Sequence, residues 1–146
     1  MTVYERLTIV DQFEDRASNR AAVMRACDVM TCYLTQLKRP LPEVAAQAVK
    51  VAQAYIAGST AIGGLHDEVR QISNFLKEAR RSDSHLNDAL SVIRATEALM
   101  RLLEEPRWGG GASEALSNFL ELVDGFEQDH RLFEHLLEST FDDSKS

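Results

Sequence analysis

Glu127 and His130, three positions apart, are the first residues whose types and spacing suggest a chemical role. This Glu-x-x-His spacing is half of a repeated ligand pair in carboxylate-bridged di-iron helical bundles. Such a site needs a second pair on another helix and two further glutamates, and the chain has no second Glu-x-x-His. We therefore expect His130 to be a structural, hydrogen-bonded residue, and we predict no metal site and no cofactor.

A glycine-rich segment near the middle of the chain resembles a phosphate-binding loop at first sight. Gly58 is followed, after four residues, by the pair Gly63-Gly64. A phosphate-binding loop needs a lysine after its second glycine and a β-strand before its first. Here Gly64 stands at the lysine position and a helical pattern precedes the loop. We interpret these glycines as a turn between two helices.

Candidate nucleophiles occur, but none lies in a recognisable catalytic arrangement. Serine, histidine and aspartate are all present without a signature such as Gly-x-Ser-x-Gly. Cys27 and Cys32 are five residues apart, about 140° around a helix, so they would point to different faces. We expect both to be buried, reduced thiols. We therefore predict no catalytic residues and a protein that is not an enzyme.

The most informative feature is the distribution of charge. Residues 1–113 carry 14 acidic and 14 basic side chains, whereas residues 114–146 carry nine acidic and two basic ones, which accounts for the net charge of −7. A field of one sign attracts a basic protein and repels nucleic acid and anionic membranes. We predict a basic protein partner and no binding to nucleic acid or membrane. The alternative is a solvated acidic face without a specific partner.

The elements that must position these residues are all helical. Apolar residues recur every three or four positions along most of the chain, and no strand-like alternation occurs. The pattern predicts one domain, 1–146, with an all-α fold: a compact bundle of five or six helices. The predicted helices span about 3–16, 19–37, 41–57, 65–80, 85–104 and 113–141.

The helices at 41–57 and 85–104 are expected near the centre of the bundle. Ser18-Asn19 is expected to cap the second helix, and Asp83 or Ser84 the fifth. No apolar run reaches the length of a membrane span. The N-terminus also lacks the apolar core of a signal peptide, so we expect a cytoplasmic protein.

The last predicted helix combines an apolar seam with an acidic outer face. The seam steps by three and four residues without a break, as in helix bundles. Its residues are Leu116, Phe119, Val123, Phe126, His130, Phe133 and Leu137. This register points the outer residues away from the core. We therefore predict that Glu121, Asp124, Gln128 and Glu138 bind the partner.

The single tryptophan, Trp108, lies beside Arg107 in a segment that ends in three glycines. Tryptophan and arginine are favoured anchors at protein interfaces. We add both residues to the predicted partner-binding set. The alternative is that Trp108 folds back and closes the end of the bundle.

Two segments resemble the all-α immunity proteins of bacterial polymorphic toxin systems. They are Arg25-Ala26-Cys27-Asp28 and residues 46–58, with the sequence AQAVKVAQAYIAG. Some members of that family have Ala-Cys-Asp in the first helix, followed by an alanine-rich helix that ends in an aromatic residue and a glycine. This chain has Tyr55 where tryptophan is expected, and the resemblance covers about 35 of its 146 residues.

The resemblance implies a small cytoplasmic protein that binds and neutralises a cognate toxin, with no catalytic residues. Together with the acidic segment, it favours a non-enzymatic, immunity-type inhibitor of a basic protein. The alternative is a self-associating helical protein, a homo-oligomer with a structural or regulatory role. In that case the apolar seam of the last helix would pair across a two-fold axis.

Overall fold

The computed structural model describes residues 3–81 and 87–141, apart from the side chain of Asn87. Within these ranges the chain forms a one-turn helix and seven longer helices, and no strand. The predicted all-α class is confirmed, whereas the predicted number of five or six helices is too low. The elements are α1 (Val3–Arg6), α2 (Thr8–Arg16), α3 (Asn19–Thr35), α4 (Glu43–Ile56), α5 (Ile62–Arg81), α6 (Asn87–Glu104), α7 (Ala112–Val123) and α8 (Arg131–Phe141).

The helices pack around α3 and α6. Helix α3 contacts α2, α4, α6, α7 and α8, while α6 contacts α3, α4, α5 and α7. The buried apolar residues of all eight elements form a single cluster. None of the described helices is both long enough and apolar enough to cross a membrane. The expected cap at Asp83 or Ser84, like the acidic residues Asp142 and Asp143, lies outside the described residues.

The ends of α3 and α4 follow from local chemistry. Ser18 Oγ accepts a hydrogen bond from the Ala21 N–H at 3.1 Å, which confirms the predicted cap. Helix α4 begins directly after Pro42 and is followed by Gly58, whose φ of +81° is the left-handed conformation that ends many helices. The next helix begins earlier than predicted, at Ile62. Gly63 and Gly64 are therefore helical, and the predicted glycine turn is limited to the residues before them.

The N-terminal helix is divided at Leu7, although its predicted apolar stripe is intact. Val3, Leu7, Val10 and Phe13 are all buried. They dock α1 and α2 onto α8, and α2 also contacts α3 and α7. The stripe therefore fixes the N-terminal residues against the acidic C-terminal part of the chain.

The prediction of one continuous helix over 113–141 is wrong. Helix α7 ends at Val123, and α8 begins only at Arg131. Gly125 lies so close to α6 that a Cβ atom there would come within 2.8 Å of Ser91 Oγ. Asp129 Oδ1 accepts a hydrogen bond from the Arg131 N–H at 3.1 Å, which satisfies an otherwise free donor at the start of α8.

The apolar seam is nevertheless buried on both sides of this break. Leu116, Phe119, Val123, Phe126, Phe133 and Leu137 all lie in the core. The Tyr33 ring of α3 packs edge-on against Phe119 of α7 and Phe133 of α8, with centroid distances of 6.2 and 5.3 Å. The seam thus packs inside its own chain, and it offers no free apolar stripe for pairing with a second copy.

Candidate functional site

The break between α7 and α8 divides the predicted acidic face. Glu121 is exposed on α7, and Asp124 is exposed directly after the helix. Gln128 is exposed in the link between the two helices, whereas Glu138 is half-buried on α8. The four predicted partner-binding residues therefore do not share one helix face.

Glu138 lies outside the buried core, but its carboxylate takes part in an internal ion-pair cluster. Arg6 of α1 contacts the Glu138 carboxylate through Nη1, and its Nε lies 3.5 Å from Glu134 Oε2. All three side chains are only about a quarter exposed. The guanidinium offsets one of the two negative charges and fastens α1 to α8. We therefore remove Glu138 from the candidate surface.

The link between α7 and α8 also neutralises part of its own charge. The Arg131 side chain binds Asp129 at 2.7 Å, and its hydrogen bonds lower the pKa of Asp129 to about 2. His130 is half-buried, with Nε2 at 3.4 Å from Asp124 Oδ1. Its Nε2 is buried and forms no hydrogen bond with the described residues, so the expected hydrogen bond of this histidine stays a prediction.

An exposed tyrosine lies within electrostatic range of two of the predicted partner-binding carboxylates. Tyr4 of α1 is 43% exposed, one of three large apolar or aromatic side chains in the described ranges that are this open to solvent. Partial burial raises the pKa of Tyr4, and the nearby charges of Glu121 and Asp124 raise it further. Among residues 3–81 and 87–141, no lysine or arginine forms an ion pair with either carboxylate. We call Tyr4, Glu121 and Asp124 the acidic surface.

Sequence reasoning missed Tyr4, although a local signal existed. The buried stripe of α1 and α2 includes Val3 and Leu7, and Tyr4 lies about 100° away from Val3 around the helix. An aromatic residue beside a buried stripe is a candidate interface residue. Its proximity to Glu121, however, depends on the docking of α1, which no local pattern shows.

Trp108 and Arg107 lie at a different place. The backbone N–H of Trp108 donates a hydrogen bond to Asn19 Oδ1 at 3.2 Å, and the backbone carbonyl of Trp108 accepts one from Asn19 Nδ2 at 3.1 Å. The indole is half-buried against the core, while Arg107 is exposed and binds Glu105 at 2.6 Å. Both line a groove that α7 borders with Asn118 and Leu122.

This groove carries the opposite charge to the acidic surface. Four arginines line it, and neither Glu121 nor Asp124 does. The structure therefore separates the predicted partner-binding residues into two sites of opposite sign. We call the second site the arginine groove; its four arginines are Arg80, Arg94, Arg101 and Arg107.

The two cysteines do not form a reactive pair. Cys27 is buried, and burial raises the pKa of its thiol to about 12. Cys32 is exposed, so the expectation of two buried thiols is wrong. The pKa of Cys32 is also raised, which disfavours the nucleophilic thiolate. Among the residues that the structure describes, no three histidine, cysteine, aspartate or glutamate side chains are grouped to hold a metal ion.

Comparison with known proteins gives no relative: no protein-family model, curated protein or solved structure matches the chain. The resemblance of residues 25–58 to immunity proteins stays a prediction.

Proposed function

We propose that this protein is a non-enzymatic binding module that recognises a basic partner protein through the acidic surface. One observation carries the proposal: an exposed tyrosine lies within electrostatic range of two exposed carboxylates that have no lysine or arginine partner among the described residues. Elsewhere in the acidic C-terminal part, Arg6 and Arg131 form ion pairs with neighbouring carboxylates and offset part of their charge. Glu121 thus remains available to an external cation, and so does Asp124, which faces only His130 Nε2 at 3.4 Å among the described residues and is otherwise exposed.

The two kinds of residue contribute to binding in different ways. Exposed carboxylates mainly speed the encounter with a basic protein and orient it, because their attraction acts before contact. An aromatic side chain that becomes buried on binding mainly slows dissociation. We therefore assign steering to Glu121 and Asp124, and anchoring to Tyr4. Gln128 can add a hydrogen bond from the link that follows Asp124.

The most specific form of the proposal is an immunity-type inhibitor that neutralises a toxin in the cytoplasm. The resemblance of residues 25–58 to immunity proteins supports it. It also agrees with the prediction that the chain has no catalytic residues, because an inhibitor of this kind acts by binding alone. On this proposal the inhibitor acts by covering a basic surface of the toxin. Trp108 and Arg107 lie in the arginine groove, whose charge does not suit a basic partner, so we move the anchor from Trp108 to Tyr4.

The self-associating alternative loses the surface that suggested it. The seam of α7 and α8 is buried against α3 within one chain. Association between copies stays a prediction for some other surface. Sedimentation of the purified protein tests it directly, because a dimer would persist without any partner.

The anchor is tested by comparing two exposed aromatic residues. The tagged protein is first used to isolate its partner, and dissociation of the purified complex is then measured for Tyr4→Ala. Phe75→Ala is the matched control, since Phe75 is 41% exposed but lies on α5, away from the acidic surface. Tyr4→Ala should speed dissociation about tenfold or more, and Phe75→Ala should not. Equal dissociation rates for both variants would remove Tyr4 from the interface.

A further inference from the structure

The arginine groove has the size and lining of a small-molecule site. It is an open groove of about 470 Å³ that lies between α5, α6, α7 and the loop that carries Trp108. Ligand pockets in proteins commonly span about 300 to 1,000 Å³ and combine apolar walls with a few polar groups. Here the apolar part comes from Leu76, Ala98, Leu102 and Leu122, with the half-buried indole of Trp108.

Two of the four arginines in the groove are already paired. Arg101 Nη2 lies 3.6 Å from Glu97 Oε2 and donates to Ser73 Oγ at 3.0 Å. Arg107 binds Glu105. Both glutamates also line the groove, so these two arginines add no net charge.

Arg80 and Arg94 form no ion pair among the described residues, and both are exposed. The contact between Ser73 and Glu97, at 2.7 Å, sets the register of α5 against α6. Counting from that contact, Arg80 and Arg94 differ by about 6 Å along the two helix axes, a gap that arginine side chains can span. The groove is therefore lined by two arginines without a charge partner among the described residues, and their side chains can reach a common anion.

We propose that the arginine groove binds a phosphate monoester on an aromatic body, the class that includes nucleoside monophosphates. A phosphate monoester carries a charge of about −1.5 to −2 at neutral pH, which matches two unpaired guanidinium groups. Arginine binds such oxygens through paired N–H donors. The indole offers a face on which an aromatic ring can stack. This inference does not depend on the acidic surface or on the proposed partner.

The single tryptophan makes the test direct, because indole fluorescence reports from the groove itself. Adenosine 5′-monophosphate is titrated into the protein, with adenosine and inorganic phosphate as probes that each lack one half of the ligand. We expect a saturable change with the monophosphate, and binding about tenfold weaker or worse for either half alone. Absence of a saturable change, or equal binding by inorganic phosphate, would overturn the proposal.

Variants then locate the site. Arg80→Gln and Arg94→Gln should each weaken the monophosphate about tenfold, because each removes a charge-assisted hydrogen-bond donor. Arg81→Gln is the matched control: Arg81 is exposed next to Arg80 but does not line the groove. An equal effect of all three substitutions would show that the ligand responds to the net positive charge of this region and not to the groove, and would overturn the proposed site.

Discussion

The buried hydroxyl of Tyr33 makes a sharp prediction about stability. Tyr33 is fully buried, and its hydroxyl has no hydrogen-bond partner within the described residues. A buried polar group without a partner costs about 1 to 3 kcal/mol, because it gives up its hydrogen bonds to water. Tyr33→Phe removes the hydroxyl and keeps the ring that packs on Phe119 and Phe133.

We therefore expect Tyr33→Phe to raise the free energy of unfolding by about 1 to 3 kcal/mol. For a chain near 150 residues, this corresponds to roughly 2 to 4 °C in Tm for each kcal/mol. Urea unfolding and calorimetry measure both quantities. Tyr55→Phe serves as the control, since Tyr55 is half-buried and its hydroxyl is not stranded in the core.

The same substitution should change the response to alkaline pH. Burial raises the pKa of the Tyr33 hydroxyl, and the charges of Glu127, Asp129 and Asp124 raise it further. An unfolded tyrosine has a pKa of about 10. The folded state therefore binds this proton more tightly than the unfolded state does. The contribution of this proton to the free energy of unfolding is fully present below pH about 10 and is lost as the pH rises above it.

Tyr33→Phe should remove this alkaline loss while it raises stability at neutral pH. A lower free energy of unfolding at neutral pH would refute the reasoning. It would mean that the hydroxyl gains a bond in the folded protein that outweighs the cost of its burial.

Two further predictions concern α3. A thiol reagent should modify Cys32 in the folded protein, but Cys27 only on unfolding, because Cys27 is buried and its pKa is raised to about 12; mass spectrometry after timed labelling checks this, and equal labelling of both would contradict the packing of α3. Ser18→Ala should lower the free energy of unfolding by about 1 kcal/mol, because it removes the cap on the Ala21 N–H. Urea unfolding measures the loss, and an unchanged midpoint would show that water replaces the cap.

Much of the fold could be predicted from apolar spacing. The stripe from Val3 to Phe13 and the seam from Leu116 to Leu137 are buried at almost every predicted position. Apolar spacing predicts burial well, because an apolar side chain that faces the core stabilises the fold by the same mechanism in a continuous helix and in two separate helices. For the same reason, the seam could not show that α7 and α8 are separate helices.

The break itself left a local signal that the seam obscured. Asp124-Gly125 is a dipeptide typical of turns, and Asp129 is a residue type that caps helices. Likewise, the angle of about 140° between Cys27 and Cys32 indicated that both could not face one core. In each case the identity or angle of individual residues was more informative than the apolar spacing of the whole segment.

The candidate sites were less predictable, because they depend on docking between distant segments. The influence of Glu121 on Tyr4 requires α1 to dock on α8 and α2, which bring it near the end of α7. The ion pair between Arg6 and Glu138 likewise joins the two ends of the chain. Charge counting identified the acidic segment, but it could not show which carboxylates are neutralised internally.

The most direct test of the central claim is the association rate with the isolated partner, measured at low and moderate salt. Glu121→Lys with Asp124→Lys is compared with Asp67→Lys with Glu78→Lys, which changes the net charge equally. Both control residues are exposed on α5.

On this account, only the first pair of substitutions slows association at low salt, by about tenfold or more, and salt reduces the difference. Equal slowing by both pairs, or no slowing by either, would contradict recognition through the acidic surface.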